Sequence, residues 1–363
     1  MEEPDLMAKE NSARASFSDL SRFIADAFGA CGMGRPDAER MGKLMAEADL
    51  GGQDGHGVFR LPQYIARAKA GGLSMAPTIS VVKQRAATAL LDGGNGPGHL
   101  VMSRAAEIAM EKAATTGVAW VGARYSNHAG PAFLYARMPL ARDMIGLYVA
   151  VGSANHMPPW GGTDLLLSTN PIAVAVPAAS RPPIVLDMAT TVAAYGKVKT
   201  LADRGETMPL GWMTDKSGRP LTDPARAKEG LLLPIGGPKG FGLSLVFGLL
   251  AGTLNGAAFG KDVVDFNADN ETVTNTGHFV VALNIEAFAD VEAFKAEVDE
   301  VSRQMRASAR LPGFNEVRLP GERLARCEMV YGAKGIPIAA PLLARLDGLA
   351  GDLSIPALER ANP

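Results

Sequence analysis

The sequence predicts an α/β protein in which a sheet domain is joined to a helical part drawn from the two ends of the chain. Three observations carry this. Short β-branched runs alternate with helix-period runs through the middle of the chain. Two amphipathic helical patterns precede the first strand. With 47% hydrophobic residues in a length of 363, there is enough apolar surface for a large core and for more than one domain.

An acidic, polar stretch over 1–16 opens the chain and is expected to fray. Ser18 opens a first helix with Leu20, Phe23, Ile24 and Phe28 on one face. Pro36 opens a second, with Met41, Leu44, Met45 and Ala48 inward, and Gly51 and Gly52 stop it. Strands are predicted at 78–82, 88–94, 118–123, 144–152, 171–177, 182–189 and 278–285, with helices over 100–116 and after Gly130. A charged helix follows at 291–309. The Pro/Gly-rich loop 311–322 then leads to two short helical patterns that return to the N-terminal helices. The expected division is 1–76 with 312–363 as the helical part, and 77–311 as the sheet domain.

One segment tests the soluble reading. Phe241 to Gly260 carries no charge, and Gly248, Gly252, Gly256 and Gly260 form a GxxxG ladder, the pattern of a membrane helix pair. Ser244, Thr253 and Asn255 interrupt it, it is the single candidate span, and no aromatic belt or loop charge bias accompanies it. A buried helix whose glycine edge admits a neighbouring backbone is expected instead, with no membrane partner.

Composition narrows the partners further. A formal net charge of -2 with interspersed signs leaves no basic face for nucleic acid or anionic lipid. Cys31 and Cys327 lie in no metal-like or redox-like spacing, which fits a reducing compartment, no disulfide and a cytoplasmic location. The chain has five histidines, His56, His99, His128, His156 and His278, and none pairs with another in metal-ligand spacing, so no metal is expected.

Two glycine-rich loops could touch a nucleotide. Asp92 to His99 follows a strand and precedes a helix, but its glycines stand at Gly94, Gly96 and Gly98, not in a GxGxxG pattern, and Pro97 removes a donor. A Rossmann fingerprint is therefore absent. Gly236 to Gly242 also opens a helix and carries Lys239, but lacks the following Ser or Thr of a phosphate loop. Exposed helix N-terminal N–H groups beside a lysine still suit a phosphate.

His56 is the residue most marked for chemistry. Gly55 and Gly57 flank it, weakening regular structure and leaving the imidazole reachable, while Arg60 and Tyr64 follow at helical spacing and can share one edge with it. An imidazole beside a guanidinium reads as an acid/base group next to a carboxylate clamp.

The segments "ADLGGQDGHGVFRLPQY", "SNHAGPA", "STNPIAVAVP", "PPIVLDMATT", "GPKGFGLSLVFGLLAG" and "VRLPGE", in this order, resemble the type-2 malate/L-lactate dehydrogenase family. The resemblance covers about Leu20 to Pro337 and implies NAD(P)-dependent reduction of 2-oxo acids or cyclic imino acids. It implies a cofactor domain with a mixed, largely antiparallel sheet flanked by helices, not a Rossmann fold, and a homodimer. By the same resemblance His56 is the proton donor, Arg60 binds the substrate carboxylate, and His128 lines the nicotinamide and substrate pocket. Cofactor contacts are implied at Pro183, Ile184, Val185, Leu186, Asp187, Met188 and Ala189, at Pro238 and Lys239, and at Gly321, Glu322 and Arg323, with Ser168 to Asn170 nearby. The cofactor is NAD or NADP.

This chain departs from the family pattern at two places. Gly55 stands where the family usually has Ser before the histidine, and the apolar run around Phe247 replaces a usual acidic residue, which bears on substrate choice. A non-redox lyase or racemase using His56 and Arg60 on a 2-hydroxy acid is the alternative from another class, and a lapsed binding protein a third.

Overall fold

The computed structural model describes residues 13–360. Most of the stretch expected to fray, residues 1–12, lies outside the described residues. Ala13–Ala15 is ordered as β1. Helix α1 (Phe17–Ala30) is capped by Ser16, not Ser18: the Ser16 hydroxyl accepts the Asp19 N–H at 3.0 Å. Helix α2 (Arg35–Leu50) takes Pro36 in its first turn and stops at Gly51, and α3 (Leu61–Ala70) carries Tyr64 on its buried face.

Strands β2 (Ser80–Gln84) and β3 (Thr88–Gly96), helix α4 (Gly98–Thr116) and β4 (Val118–Ser126) follow. Then come α5 (Phe133–Arg137), β5 (Met144–Ala150), β6 (Ile172–Val176) and β7 (Ile184–Met188). A small unit holds α6 (Tyr195–Arg204), β8 (Met213–Thr214), β9 (Pro220–Leu221) and β10 (Leu231–Leu232). Helix α7 (Pro238–Ala251), β11 (Thr276–Asn284), α8 (Val291–Arg306), α9 (Glu322–Lys334), β12 (Ile336–Ile338) and α10 (Ala340–Leu353) complete the order.

Seven strands form one sheet in the order β2-β3-β4-β11-β5-β6-β7. The β3–β4 pair is parallel and the others are antiparallel, so the mixed, largely antiparallel sheet is borne out. Side chains alternate between its faces. Val121, Tyr148, Ala173, Val280 and Ala282 pack with α4 and α5, whereas Val149, Ile172 and Phe279 meet Phe247 and Leu250 of α7. The glycines before α4 serve this packing. A Cβ on Gly98 would stand 2.3 Å from the Asn127 carbonyl oxygen, and one on Gly93 2.8 Å from that of Tyr125. They let chain segments approach closely.

A second core joins Leu20, Phe23, Ile24 and Phe28 of α1 to Met41 and Met45 of α2, Tyr64 of α3, Tyr331 of α9 and Leu343 and Leu346 of α10. Strand β12 pairs antiparallel with β1, so the end of the chain returns to its beginning. Each large apolar side chain buried here contributes about 1.5–3 kcal/mol.

The charge-free run corrects one expectation. Helix α7 stops at Ala251 instead of running to Gly260, and no described helix is long and apolar enough to cross a membrane. The ladder divides by cause. Gly248 and Gly252 give close approach, since a Cβ on Gly248 would lie 2.3 Å from Cε2 of Phe259, while Gly256 and Gly260 adopt positive φ in turns. The helix is also buried on one side only: Leu243, Val246 and Leu249 are exposed. The small unit around Val198, Met208, Met213 and Leu232 has its own apolar cluster and was not anticipated, because its two-residue strands are too short for any periodicity.

Candidate active site

The loop between α2 and α3 carries the site, and its shape is set by Asp49. The buried Asp49 carboxylate accepts the Val58 N–H at 2.7 Å. A Cβ on Gly57 would fall 2.1 Å from the Asp49 Cγ, so glycine is required there by space. Gly55 is different: no atom lies within 4 Å of a Cβ built on it, and its φ is not left-handed. The turn is closed by the His56 N–H donating to the Gln53 carbonyl at 2.8 Å and the Arg60 N–H donating to Gly57 at 2.9 Å.

Arg60 sits at the start of α3. Its Nε donates to the Gly55 carbonyl at 2.9 Å and its Nη1 to Oδ1 of Asn267 at 2.5 Å. It makes no ion pair among the described residues, and Nη2 has no hydrogen-bond partner there. Asn267 is brought from far along the chain because α3 straps its loop down. Gln63 Nε2 donates to the Phe266 carbonyl at 2.6 Å and to Asn270 Oδ1 at 2.9 Å, and Arg67 Nη2 donates to Thr272 at 2.7 Å.

His128 arrives from the loop after β4 and lies parallel to His56, with ring centroids 5.5 Å apart. His56 Nδ1 and His128 Nε2 are 3.3 Å apart. The Tyr64 hydroxyl is 2.6 Å from His128 Nδ1, and the Gly130 N–H donates to the same nitrogen at 3.4 Å. Burial, and then Arg60, push His56 down to about 4 and His128 well below its ordinary value, so both are neutral at pH 7. The site thus presents a cation with no direct ion pair among the described residues, with Asp265 the carboxylate that acts on it from beyond Asn267, beside a neutral imidazole pair.

Of the segments expected to touch a cofactor, Gly321 to Arg323 adjoins this loop, and the other two meet at the β7 edge of the sheet. Pro183 to Ala189 forms and flanks β7, the sheet edge, where the Val185 N–H donates to the Pro320 carbonyl at 3.1 Å. Gly321 packs onto Val185, and a Cβ on it would stand 2.8 Å from the Val185 nitrogen. Arg323 reaches the other way, its Nη2 3.6 Å from the position a Cβ on Gly52 would take. Gly321 to Arg323 therefore lies between β7 and the histidine loop, with the Glu322 carboxylate paired to Arg306. Pro238 and Lys239 form the exposed first turn of α7 and connect to the end of β7 through the Ile235 N–H, which donates to Thr190 at 3.0 Å.

Asp187 accepts the Phe133 N–H at the start of α5 at 3.0 Å, and burial raises its carboxyl to about 6. Asn170 ties β6 to α7: its Nδ2 donates to the Ser244 carbonyl at 3.0 Å. Sequence reading missed Asn267 and the stacked pair of His156 and Tyr195, whose centroids are 3.9 Å apart, as well as His99 edge-on to Tyr64. No local pattern marks them, since each acts across distant parts of the chain. No described group of three or more His, Cys, Asp or Glu could hold a metal.

A guanidinium with no direct ion pair among the described residues, beside a proton-carrying imidazole pair, defines an enzyme that grips an acid and moves a proton, built on a sheet that is not doubly wound. Comparison with known proteins makes the class particular: the chain belongs to the malate/L-lactate dehydrogenase family, whose model matches residues 15–347. It is 38% identical over 308 residues to an L-sulfolactate dehydrogenase of Methanocaldococcus jannaschii, covering 85% of this chain and 88% of that protein. It is 34% identical over 362 residues to a malate dehydrogenase of Pyrococcus abyssi, covering 96% and 98%. A solved structure of the Methanocaldococcus jannaschii sulfolactate dehydrogenase superposes with a TM-score of 0.88 at 36% identity, covering 94% of this chain and 98% of that one. The chain is accordingly an NAD- or NADP-dependent oxidoreductase, and nothing favours a lyase or racemase.

Proposed function

We propose that the protein reduces a 2-oxo acid or a cyclic imino acid with NADH or NADPH, or oxidises the matching product, with His56 giving the proton and Arg60 holding the carboxylate. The observation that supports this most is Arg60, a largely buried guanidinium in the His56 loop that has, among the described residues, no direct ion pair and no partner for Nη2. A carboxylate supplies the missing counter-charge and fixes which face of the substrate meets the reductant. A dihydronicotinamide bound there would supply the hydride. His56 then carries the proton that the developing charge on oxygen or nitrogen requires.

The cofactor is assigned to Pro183–Ala189, Pro238–Lys239 and Gly321–Arg323. The exposed Lys239 at the N-terminal turn of α7 suits its phosphates, and the contact of Gly321 with Val185 makes two of the three segments one surface. His128 belongs to the same site. The helical part, 1–76 with 312–363, and the sheet domain, 77–311, are proposed as the two domains. A homodimer is supported by the exposed Leu243, Val246 and Leu249 on α7, and a cytoplasmic location by the separate thiols of Cys31 and Cys327.

The test is a panel of 2-oxo acids and cyclic imines with both reduced cofactors, followed at the nicotinamide absorbance. His56→Ala should lower kcat by roughly 10²–10⁴ while cofactor affinity stays near the parent's. Activity within threefold of the parent removes His56 from the mechanism.

A further inference from the structure

The histidine pair carries a constraint beyond proximity. A neutral imidazole has one N–H and one acceptor nitrogen, and a backbone N–H can only donate. The Gly130 N–H points at Nδ1 of His128, so that nitrogen is the acceptor and the His128 proton sits on Nε2. The Tyr64 hydroxyl, 2.6 Å from the same Nδ1, then donates to it as well. His128 Nε2–H faces Nδ1 of His56 and donates across the 3.3 Å gap, which leaves the proton of neutral His56 on its own Nε2.

We propose that Tyr64 is a positioning residue that, with the Gly130 N–H, fixes the tautomers of both histidines, so that His128 acts through His56 and His56 offers an N–H to the ligand. This rests on the assignment of His56 as the acid. Both nitrogens of His128 are used inside the protein, and His128 is only 9% exposed. Among the described residues the Nε2 of His56 has no hydrogen-bond partner. An N–H at that position matches a carbonyl oxygen or imine nitrogen, an acceptor, and orients it. To give up a proton as an acid His56 has to hold a second one on Nδ1, because a neutral imidazole would be left as an imidazolate; His128 Nε2 then accepts, and the chain of hydrogen bonds to Tyr64 reverses, in either direction of the reaction.

The fold supports Tyr64 in this duty. It is fully buried on α3, four residues after Arg60, and its ring is held by Phe28, Phe266 and His99 at 6.0, 5.2 and 5.8 Å. The Tyr64 hydroxyl has one proton and two acceptors within reach, His128 Nδ1 at 2.6 Å and the His128 carbonyl at 3.1 Å; the carbonyl is already met by the Gly98 N–H at 3.2 Å, and the shorter contact takes the proton. The groups facing the pair are Arg60, Asp54, His99, His278 and Tyr64 itself. The two histidines among them, His99 and His278, are held neutral by burial, and neither nitrogen of His99 has a hydrogen-bond partner that competes for the hydroxyl.

Long-range proton–nitrogen spectra of the full chain labelled at histidine read the tautomers directly in the ligand-free protein, apart from whether the assigned reaction is correct. With five histidines the spectrum is assignable by single substitutions. The parent should show an unprotonated Nδ1 on His128 and a protonated Nε2 on His56 at neutral pH. Tyr64→Phe keeps the ring contacts and should mix the His128 tautomers, lower kcat about three- to tenfold and move the acid limb of the pH profile upward, with KM for the cofactor unchanged. His128→Asn, which can accept from Tyr64 and donate to His56, should retain more kcat than His128→Ala. A protonated Nδ1 on His128 in the parent overturns the proposal. So do unchanged tautomers and an unchanged pH profile in Tyr64→Phe.

Discussion

Mild acid should unfold this protein through its histidines. His99, His128 and His278 are buried, and burial holds His99 down to about 3, His278 to about 4 and His128 well below the ordinary 6.5. A depressed histidine stays neutral in the fold while the unfolded chain takes up its proton. Its contribution is therefore intact above pH 6.5 and lost as pH falls toward 4. Each loses about 1.4 kcal/mol per pH unit across that window, or about 3 kcal/mol in all. Asp187 runs the other way: raised from 3.8 to about 6, it protonates first in the fold and offsets about one histidine as pH drops below 6. The partly exposed His56 and His156 add less. The three histidines less Asp187 leave a slope of about 3 kcal/mol per pH unit near pH 5, from which Glu47, its carboxyl also raised by burial, takes away, against a total stability of about 5–15 kcal/mol. Urea midpoints followed by tryptophan fluorescence at half-unit steps from pH 7 measure it. In His278→Gln, which loses the bond to the Tyr148 hydroxyl at 2.8 Å, stability at pH 7 should fall and the slope should flatten by about 1.4 kcal/mol per unit. A midpoint constant from pH 6.5 to 4.5 would refute the argument, because no buried neutral histidine could then be resisting protonation.

Arg60→Ala should cost about 2–5 kcal/mol in kcat/KM, and Arg60→Lys should restore only part, because a point charge cannot also hold Asn267 and Gly55; full rescue by lysine would mean that the fork geometry is irrelevant. Gly55→Ser should leave the thermal midpoint unchanged, since nothing stands within 4 Å of the new Cβ, while shifting kcat/KM about two- to tenfold toward small 2-oxo acids and away from the best bulky or cyclic substrate. A parallel fall in stability and in all activities would instead return glycine to a backbone duty. Gly252→Leu should destabilise the fold by about 1–3 kcal/mol or more in urea titration, because its Cβ would meet the Gly248 carbonyl at 2.9 Å and Val151 at 3.1 Å. An unchanged midpoint would show that the end of α7 is loosely packed.

What could be read ahead of the structure follows from the range of the forces involved. The amphipathic faces of α1 and α2 and the β-branched strands are local patterns, and each is found where periodicity placed it, whereas His56 lies in the turn before α3 and Arg60 bonds to Gly55 in that turn. The cap of α1 slipped by two residues because Ser16 and Ser18 are chemically equivalent in sequence, and only the geometry of the turn selects Ser16. The charge-free run looked like one long helix because apolar composition does not show where a chain turns. Gly252 ends α7 by taking a non-helical backbone. Asn267, His99 and the contact of Gly321 with Val185 were invisible for a different reason: they depend on which distant segments the sheet brings together. The type of sheet came from family resemblance, since strand runs by themselves do not reveal pairing direction.

The place of β11 in the sheet has a consequence for biosynthesis. It lies between β4 and β5, hydrogen-bonded to both, yet it is made last of the seven strands. While the ribosome is still extending the chain, β4 and β5 each present an unsatisfied, largely apolar edge, and neither can close on the other without leaving out the strand that belongs between them. Assembly of the sheet core therefore waits until Thr276–Asn284 has emerged from the exit tunnel, and the site, which needs Asn267 from the segment just before, waits with it. A chain stalled or truncated ahead of β11 should be insoluble and a strong client for chaperones, whereas one cut after α8 should already hold its central sheet.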